Sequence, residues 1–362
     1  MLSYKKNSKD VISRLTDLYT GNGRDRIFAS MSIPNPVLAE YRINNSAGVV
    51  SYPDPRGRIE FWDSCLSHSA DLEDDSIPSV YLSEFDQGLY GGLLGGPVCF
   101  LNDPDTGRVT SMTEAFWDDL SQVASLALPG PGQLWYDRMM NQFEVYAQAC
   151  KGKFLCSHFI CVASMNLMFE LRGATNSFVD MLDDFETMRQ VLDFSIGLNT
   201  LVQDAFFETT GLYEGGTASN MVQWAPGRII SESVDPFHLT RPDVFDQFGR
   251  EYVEKVIAPY DGAVIHLHAN GYRLLPHVSD IEKVIAVRLI DDVYNPRAID
   301  SIEKYLPQSR GVPLILQIPY GDFIDLLNNG KLPGNVFYRV GGVPSLDEAN
   351  RAMEKVRSYR CI

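Results

Sequence analysis

The 362 residues carry 47 acidic against 31 basic side chains, a formal charge of −16, with 45% apolar and 22% charged residues. That composition describes a globular chain large enough to bury a substantial core, and its negative excess argues against a grip on nucleic-acid phosphates, which needs clustered Lys and Arg. No run approaches the ~20 apolar residues of a membrane span, and no apolar stretch follows the N-terminal lysines. Six irregularly spaced cysteines without a CxxC pair suit a reducing cytoplasm.

In chain order, the spacing predicts a helix over 8–19, stopped by Gly21-Asn22-Gly23, and a strand over 26–33. Pro-rich and Gly-rich turns follow at IPNP (33–36), YPDPRGR (52–58) and YGGLLGGP (90–97), and residues 34–110 read as an irregular insert that forms a lid. Within it the run DLEDD (71–75) reads as solvated surface. Glu84 and Asp86 precede the glycine-rich loop, which lacks the Lys-Ser/Thr of a phosphate cradle and reads as a mobile substrate cover. Helices are predicted over 111–126 and, after PGPG (129–132), over 133–149.

From there the pattern becomes regular. FLCSHFICV (154–162) reads as a strand, 176–207 as a long helix and NMVQWA (220–225) as the next strand. Then come a helix over 242–257, the strand GAVIHLHA (262–269), a helix over 272–279 and the strand KVIAVRLI (283–290). The helix 296–305 leads to PLILQI (313–318), the helix 322–328 to NVFYRV (335–340), and 345–359 is the last helix. Short apolar strands separated by helices are the mark of βαβ units and a parallel sheet. The length, and the lack of a GxGxxG turn, favour a single (β/α)8 TIM barrel over residues 1–362, with the N-terminal extension over its mouth.

In GAVIHLHANG, side chains at i and i+2 of a strand project from one face, so His266 and His268 point the same way, next to the Asn270-Gly271 that ends the strand. Strand C-terminal ends are where barrels place their chemistry. Three uses are open to the pair: two ligands of a metal such as zinc, an acid/base or substrate-binding couple without metal, or two histidines satisfied structurally. Candidates for a third ligand are Asp235, Glu232, Asp291, Asp292, and the pair Cys156 and His158, although a buried structural role suits the apolar strand that holds the last two. Asp235 lies on a strand-to-helix connection, as ligand, proton acceptor or turn residue. Arg228 and Trp224 offer a clamp for a carboxylate and a stacking ring, Asn270 and Asp291 further polar contacts to substrate. Of Asp291 and Asp292, one is expected to face the mouth and the other to cap the next helix.

LMFELRGATNSFVDMLDDFETMRQVLD (167–193), SVDPFHLTRPDVFDQFGREYVEKVI (233–257) and IHLHANGYRLLPHV (265–278) together resemble the uroporphyrinogen decarboxylase superfamily, over roughly residues 150–357, and RLTDLYTGNGRDRIFASM (14–31) resembles its opening segment. The resemblance implies a (β/α)8 barrel, and with it either zinc-dependent methyl transfer with a corrinoid protein as partner or metal-independent decarboxylation of a carboxylate-bearing small molecule. It places Asp235 where the superfamily has a functional Asp and His266-Leu267-His268 where its methyltransferases have a zinc-binding HxC. The decarboxylases' RQAGRY segment is replaced by MSIPNPVLAEYR (31–42), and the final strand, YRVGGVP (338–344), lacks the methyltransferases' second Cys. Methyl transfer on a small substrate leads, because the His-x-His pair keeps two metal donors while the Arg motif is missing. A ligand-binding barrel without catalysis is the other class open to the fold. A homodimer accords with the superfamily's habit.

Overall fold

The computed structural model describes residues 1–361. Of its strands, eight pair in parallel: β1 (Ile27–Met31), β2 (Ser79–Tyr81), β3 (Leu155–Ser157), β4 (Ile229–Ser233), β5 (Gly262–His268), β6 (Val284–Ile290), β7 (Leu314–Pro319) and β8 (Val336–Gly341). Six form one parallel sheet in the order β1-β8-β7-β6-β5-β4, while β2 and β3 pair in a separate parallel ladder.

Two thin seams join the ladders. The Cys161 N–H, just past β3, donates to the Ser231 carbonyl of β4 at 2.8 Å. On the other side the Asp75 N–H donates to the Ala29 carbonyl of β1 at 2.9 Å, and carboxylates replace strand pairing beyond it. The Ala29 and Met31 N–H groups donate to Asp75 Oδ2 and Asp74 Oδ2 at 3.1 and 2.7 Å. In place of the expected continuous eight-stranded barrel, the parallel strands form a six-stranded sheet and a separate two-stranded piece.

Period-two alternation sorts each strand into two cores. Ile27, Ala29, Ile265, Leu267, Val287, Leu289, Leu314, Leu316, Val336 and Tyr338 pack in one cluster with the helices. Phe28, Val264, Ala286, Ile315 and Phe337 belong to a second cluster, together with Val11, Leu15 and Leu18 of the helix Ser8–Tyr19. Two residues further along the same face come Ser30, His266, Arg288, Gln317 and Arg339. This face is thus apolar towards the strand N-terminal ends and polar towards the C-terminal ends.

The regular second half follows the sequence reading closely, with helices Pro242–Phe248, Arg250–Ile257, Tyr320–Asn328 and Leu346–Ser358 between the strands. Six expectations are corrected. NMVQWA is not the fourth strand; β4 is IISES, whose three polar residues are all buried. The 176–207 helix is two, Ala174–Asp183 and Phe185–Thr210, because the Asp184 carboxylate accepts the Thr187 N–H and starts a new helix. The helix over 111–126 is only the 3-10 segment Leu120–Ser125, and its start belongs to the strand Arg108–Thr113, antiparallel to Val98–Asp103, which in turn pairs with Gly48–Val50. With the helices Pro36–Asn44 and Pro55–Ser67, this sheet makes 34–110 an ordered α+β layer rather than an irregular insert.

The glycine-rich segment is the buried helix Gly88–Leu93, not a loose cover. A Cβ at Gly91 would lie 2.3 Å from Thr113 Oγ1, so glycine there serves close packing. DLEDD is not solvated throughout: Asp74 and Asp75 are buried, paired with Lys5 at 2.8 Å and Arg14 at 2.7 Å. Among the described residues no helix is long and apolar enough to cross a membrane.

Candidate functional site

His266 and His268 end β5 on one face, as the strand period requires, with ring centroids 5.3 Å apart. Asp235 comes from the turn directly after β4, the neighbouring strand, and β4 is in register with β5 such that Ser233 faces His266. One donor atom from each of Asp235, His266 and His268 lies within 4.8 Å of the others. Three of the residues singled out in the sequence thus meet.

The cluster is oriented from behind. His268 Nδ1 lies 2.8 Å from Asp292 Oδ1, whose other oxygen accepts the Ala269 N–H at 2.8 Å. That contact fixes the tautomer with hydrogen on Nδ1 and leaves the Nε2 lone pair free. Asp235 Oδ1 stands 3.1 Å from His266 Nε2 and 3.4 Å from His238 Nδ1, yet is aligned for a hydrogen bond with neither. Burial works to raise the Asp235 carboxyl; the charge and hydrogen bond of His266, with His238 and His268 beside it, outweigh burial and hold it well below the usual carboxylate range. Burial pushes His238 down to about 4 against the pull of Asp235, so its ring is neutral near pH 7. Only glycine fits at 271, since a Cβ there would sit 2.0 Å from His238 Cδ2.

Across the hollow, Tyr81 ends β2, and its hydroxyl donates to Asp86 Oδ1 at 3.1 Å. Burial raises the Asp86 carboxyl above its ordinary range, opposed by Tyr81 and Arg108. A cavity of about 160 Å³ opens beside Asp235, lined also by Gln87, Cys161, Asn166, Glu170 and Ser233. A larger groove of about 840 Å³, between Met1, Cys150, Phe154 and Leu212, lies by the strand N-terminal ends and touches none of these groups.

Other sequence candidates fall elsewhere. Arg228 precedes β4, at the opposite end of that strand from Asp235, and is exposed enough to reach Pro259 O and Asp204. Trp224 is buried in the apolar lower core with its indole N–H on Tyr213 O. Neither joins the cluster, because β4 begins after them rather than before. Asn270 is exposed at the rim. Asp291 accepts the Ala298 N–H at 2.7 Å and holds the next segment, so Asp292 is the residue that turns to the histidines. Glu232 faces away among buried groups, and burial raises its carboxyl well above the ordinary range. His158 is buried with Nε2 2.5 Å from Gln203 Oε1, and Cys156 lies 3.4 Å from Cys150, sulfur to sulfur. Glu84 is tied to Arg58 at 2.7 Å.

Sequence reasoning missed His238, Tyr81, Arg288 and Arg339. The two arginines carried a signal: an arginine inside an apolar strand run is rare unless it is paired or faces a hollow.

No protein-family model matches the chain, and no curated protein matches it. Solved structures that do match include a methyltransferase from Methanosarcina mazei, 10% identical, with 96% of this chain and 98% of that chain covered at a TM-score of 0.61. At that identity the likeness shows a shared fold.

Proposed function

We propose that the eight strands close as a (β/α)8 barrel and that the chain is an enzyme of metal-assisted methyl transfer to a small substrate, with Asp235, His266 and His268 holding the metal. The observation that carries this reading is the convergence of one carboxylate and two imidazoles from adjacent strand ends, with Asp292 orienting His268 from behind. Two nitrogens and one oxygen suit zinc and leave a fourth position for a substrate atom. The Asp235 oxygen that hydrogen-bonds nothing fits the role of ligand. The fold shared with a methyltransferase along nearly the whole chain supports the reaction class.

A metal here supplies Lewis acidity, making an acceptor atom such as a thiol more nucleophilic near neutral pH. The protein's own groups do the rest. Asp292 holds the proton on His268 Nδ1, and neutral His238 packs against the His268 ring at 5.8 Å between centroids. Asp86, its carboxyl raised by burial, accepts the Tyr81 hydroxyl and is placed with it to give or hold a proton at the far wall. In this reading the methyl donor is a corrinoid protein and the setting cytoplasmic.

One observation favours a second reading. His266 Nε2 already lies 3.3 Å from Asp235 Oδ2, a couple able to work as an acid/base pair without metal, as a decarboxylase needs.

Elemental analysis of the purified chain separates the two, repeated on His268→Ala. About one zinc per chain, lost in the variant, supports methyl transfer. A chain that stays metal-free after zinc is supplied and excess removed gives the site to acid/base chemistry.

A further inference from the structure

The polar face of the sheet holds a second group that the metal reading leaves unused. Arg288 on β6 is the register partner of His266, and Arg339 on β8 stands across from Gln317 of β7. Both guanidinium groups converge on one acceptor: each Nη1 donates to the main-chain oxygen of Asn220, at 3.0 and 3.4 Å. Arg108 reaches the same place from the antiparallel layer, its guanidinium 5.2 Å from the centre of the Tyr81 ring.

None of the three is in an ion pair among the described residues, whereas the buried or half-buried Arg14, Arg58 and Arg172 each hold a carboxylate at 2.7 Å. Arg288 Nε is buried with no hydrogen-bond partner. Gln317 is exposed although it lies within the central sheet, so the hollow these side chains face is open to water. Burial, and then the charges of Arg339 and Arg108, pull Arg288 well below its ordinary range, and burial with Arg108 brings Arg339 down to about 10. Asp86 lies near Arg108 but is tied to Tyr81, and among the described residues it forms an ion pair with none of the three.

Folding gains little from this arrangement. One carbonyl needs one donor, and crowded guanidinium groups without counter-charge repel one another. In a chain with a formal charge of −16, carboxylates to pair them are plentiful, yet among the described residues none is in an ion pair with them. Guanidinium forks match the paired oxygens of an acid group.

We propose that Arg108, Arg288 and Arg339 form an oxyanion subsite that takes the acid group, phosphate, sulfonate or carboxylate, of the small substrate whose reacting end lies at His266. The proposal rests on that cluster being the active site, and it restricts the substrate to small acids whose head group lies by β6 and β8 while the reacting atom lies at the end of β5.

The test is calorimetric titration of the full-length chain with sodium phosphate, methanesulfonate and acetate against chloride at constant ionic strength. Arg288→Gln, Arg339→Gln and the double variant are titrated alongside, with half-buried Arg228→Gln, outside the cluster, as control. At least one oxyanion should bind the wild type and the control, at least about tenfold more weakly in each single variant, and not at all in the double. The melting temperature of the unliganded variants should hold or rise, because repulsion is relieved; a structural tie would lower it. Should those variants fail to fold, Arg108→Gln carries the same expectation, since its guanidinium makes no hydrogen bond in the described residues. Binding of none of the three acids beyond chloride, or equal binding in the double variant, overturns the subsite. Zinc content is read on the same samples. Oxyanion binding without zinc removes the methyl-transfer reading and leaves the subsite standing; zinc without oxyanion binding does the reverse.

Discussion

Asp291 and Asp292 sit side by side after β6, and one position decides their roles. Asp291 turns back to the Ala298 N–H, while Asp292 reaches across to His268 Nδ1. The sequence offered both because strand parity stops where the strand stops, at Ile290, and the turn that follows sets each direction anew. Parity did place His266 and His268 together, since both lie within the strand. If Asp292 is the outer partner of a metal-ligating histidine, Asp292→Asn keeps the hydrogen bond's shape but loses its charge. Zinc affinity should then fall by roughly 10–100-fold with little change in folding, as such outer-shell replacements do. Competition with a chromogenic chelator measures it, and an unchanged affinity would put the metal elsewhere. The arginines were hidden for a different reason. KVIAVRLI reads as an apolar strand, and Arg288 looks like an interruption until the register sets it beside His266.

At the scale of elements, the βα repeat from β5 onward was legible because each strand is followed by a helical segment of its own. The last helix shows it: Ser345 accepts the Glu348 N–H at 3.2 Å, and Ala349, Ala352, Met353 and Val356 are buried along one face. The first half was less legible because its pairings are long-range and polar. RVTSMT alternates as a strand should, but its partner lies across the turn at 104–107, and the residues from 111 onward also fit a helical spacing. DLEDD misled most. An acidic run is usually solvated, yet here two of its carboxylates occupy the hydrogen-bonding edge of β1, where a neighbouring strand would otherwise pair. Asp74 lies in a fully buried pair with Lys5, and removing one partner of such a pair costs about 3–5 kcal/mol. Asp74→Ala should therefore lower the unfolding free energy by that amount. Glu73→Ala, one residue away in an exposed pair with Arg357, should change it by less than about 1 kcal/mol. Urea unfolding of both variants reads the contrast; equal, small losses would return the run to the surface.

Across the whole molecule, the histidines divide by environment, and so does the effect of acid on stability. His158 is enclosed by Phe159, Phe206 and Phe207, with ring centroids 5.3–5.7 Å away, and burial lowers it to about 3 despite the hydrogen bond of Gln203. An unfolded histidine titrates near ~6.5. Between those two values the unfolded chain takes up a proton that the folded chain refuses, so this group leaves stability untouched above about pH 6.5 and erodes it as the pH falls. At pH 5 the loss from His158 alone is about 2 kcal/mol, one and a half units at 1.36 kcal/mol each. Many carboxylates titrate over the same span, and they are common to any two variants that differ at one position. His158→Gln costs packing at every pH, but the difference between its unfolding free energies at pH 7 and pH 5 should be smaller than the wild type's by about 2 kcal/mol. Urea midpoints at the two pH values, for both proteins, supply the four numbers required. Equal differences would mean that His158 is protonated in the folded state and that the aromatic nest admits water.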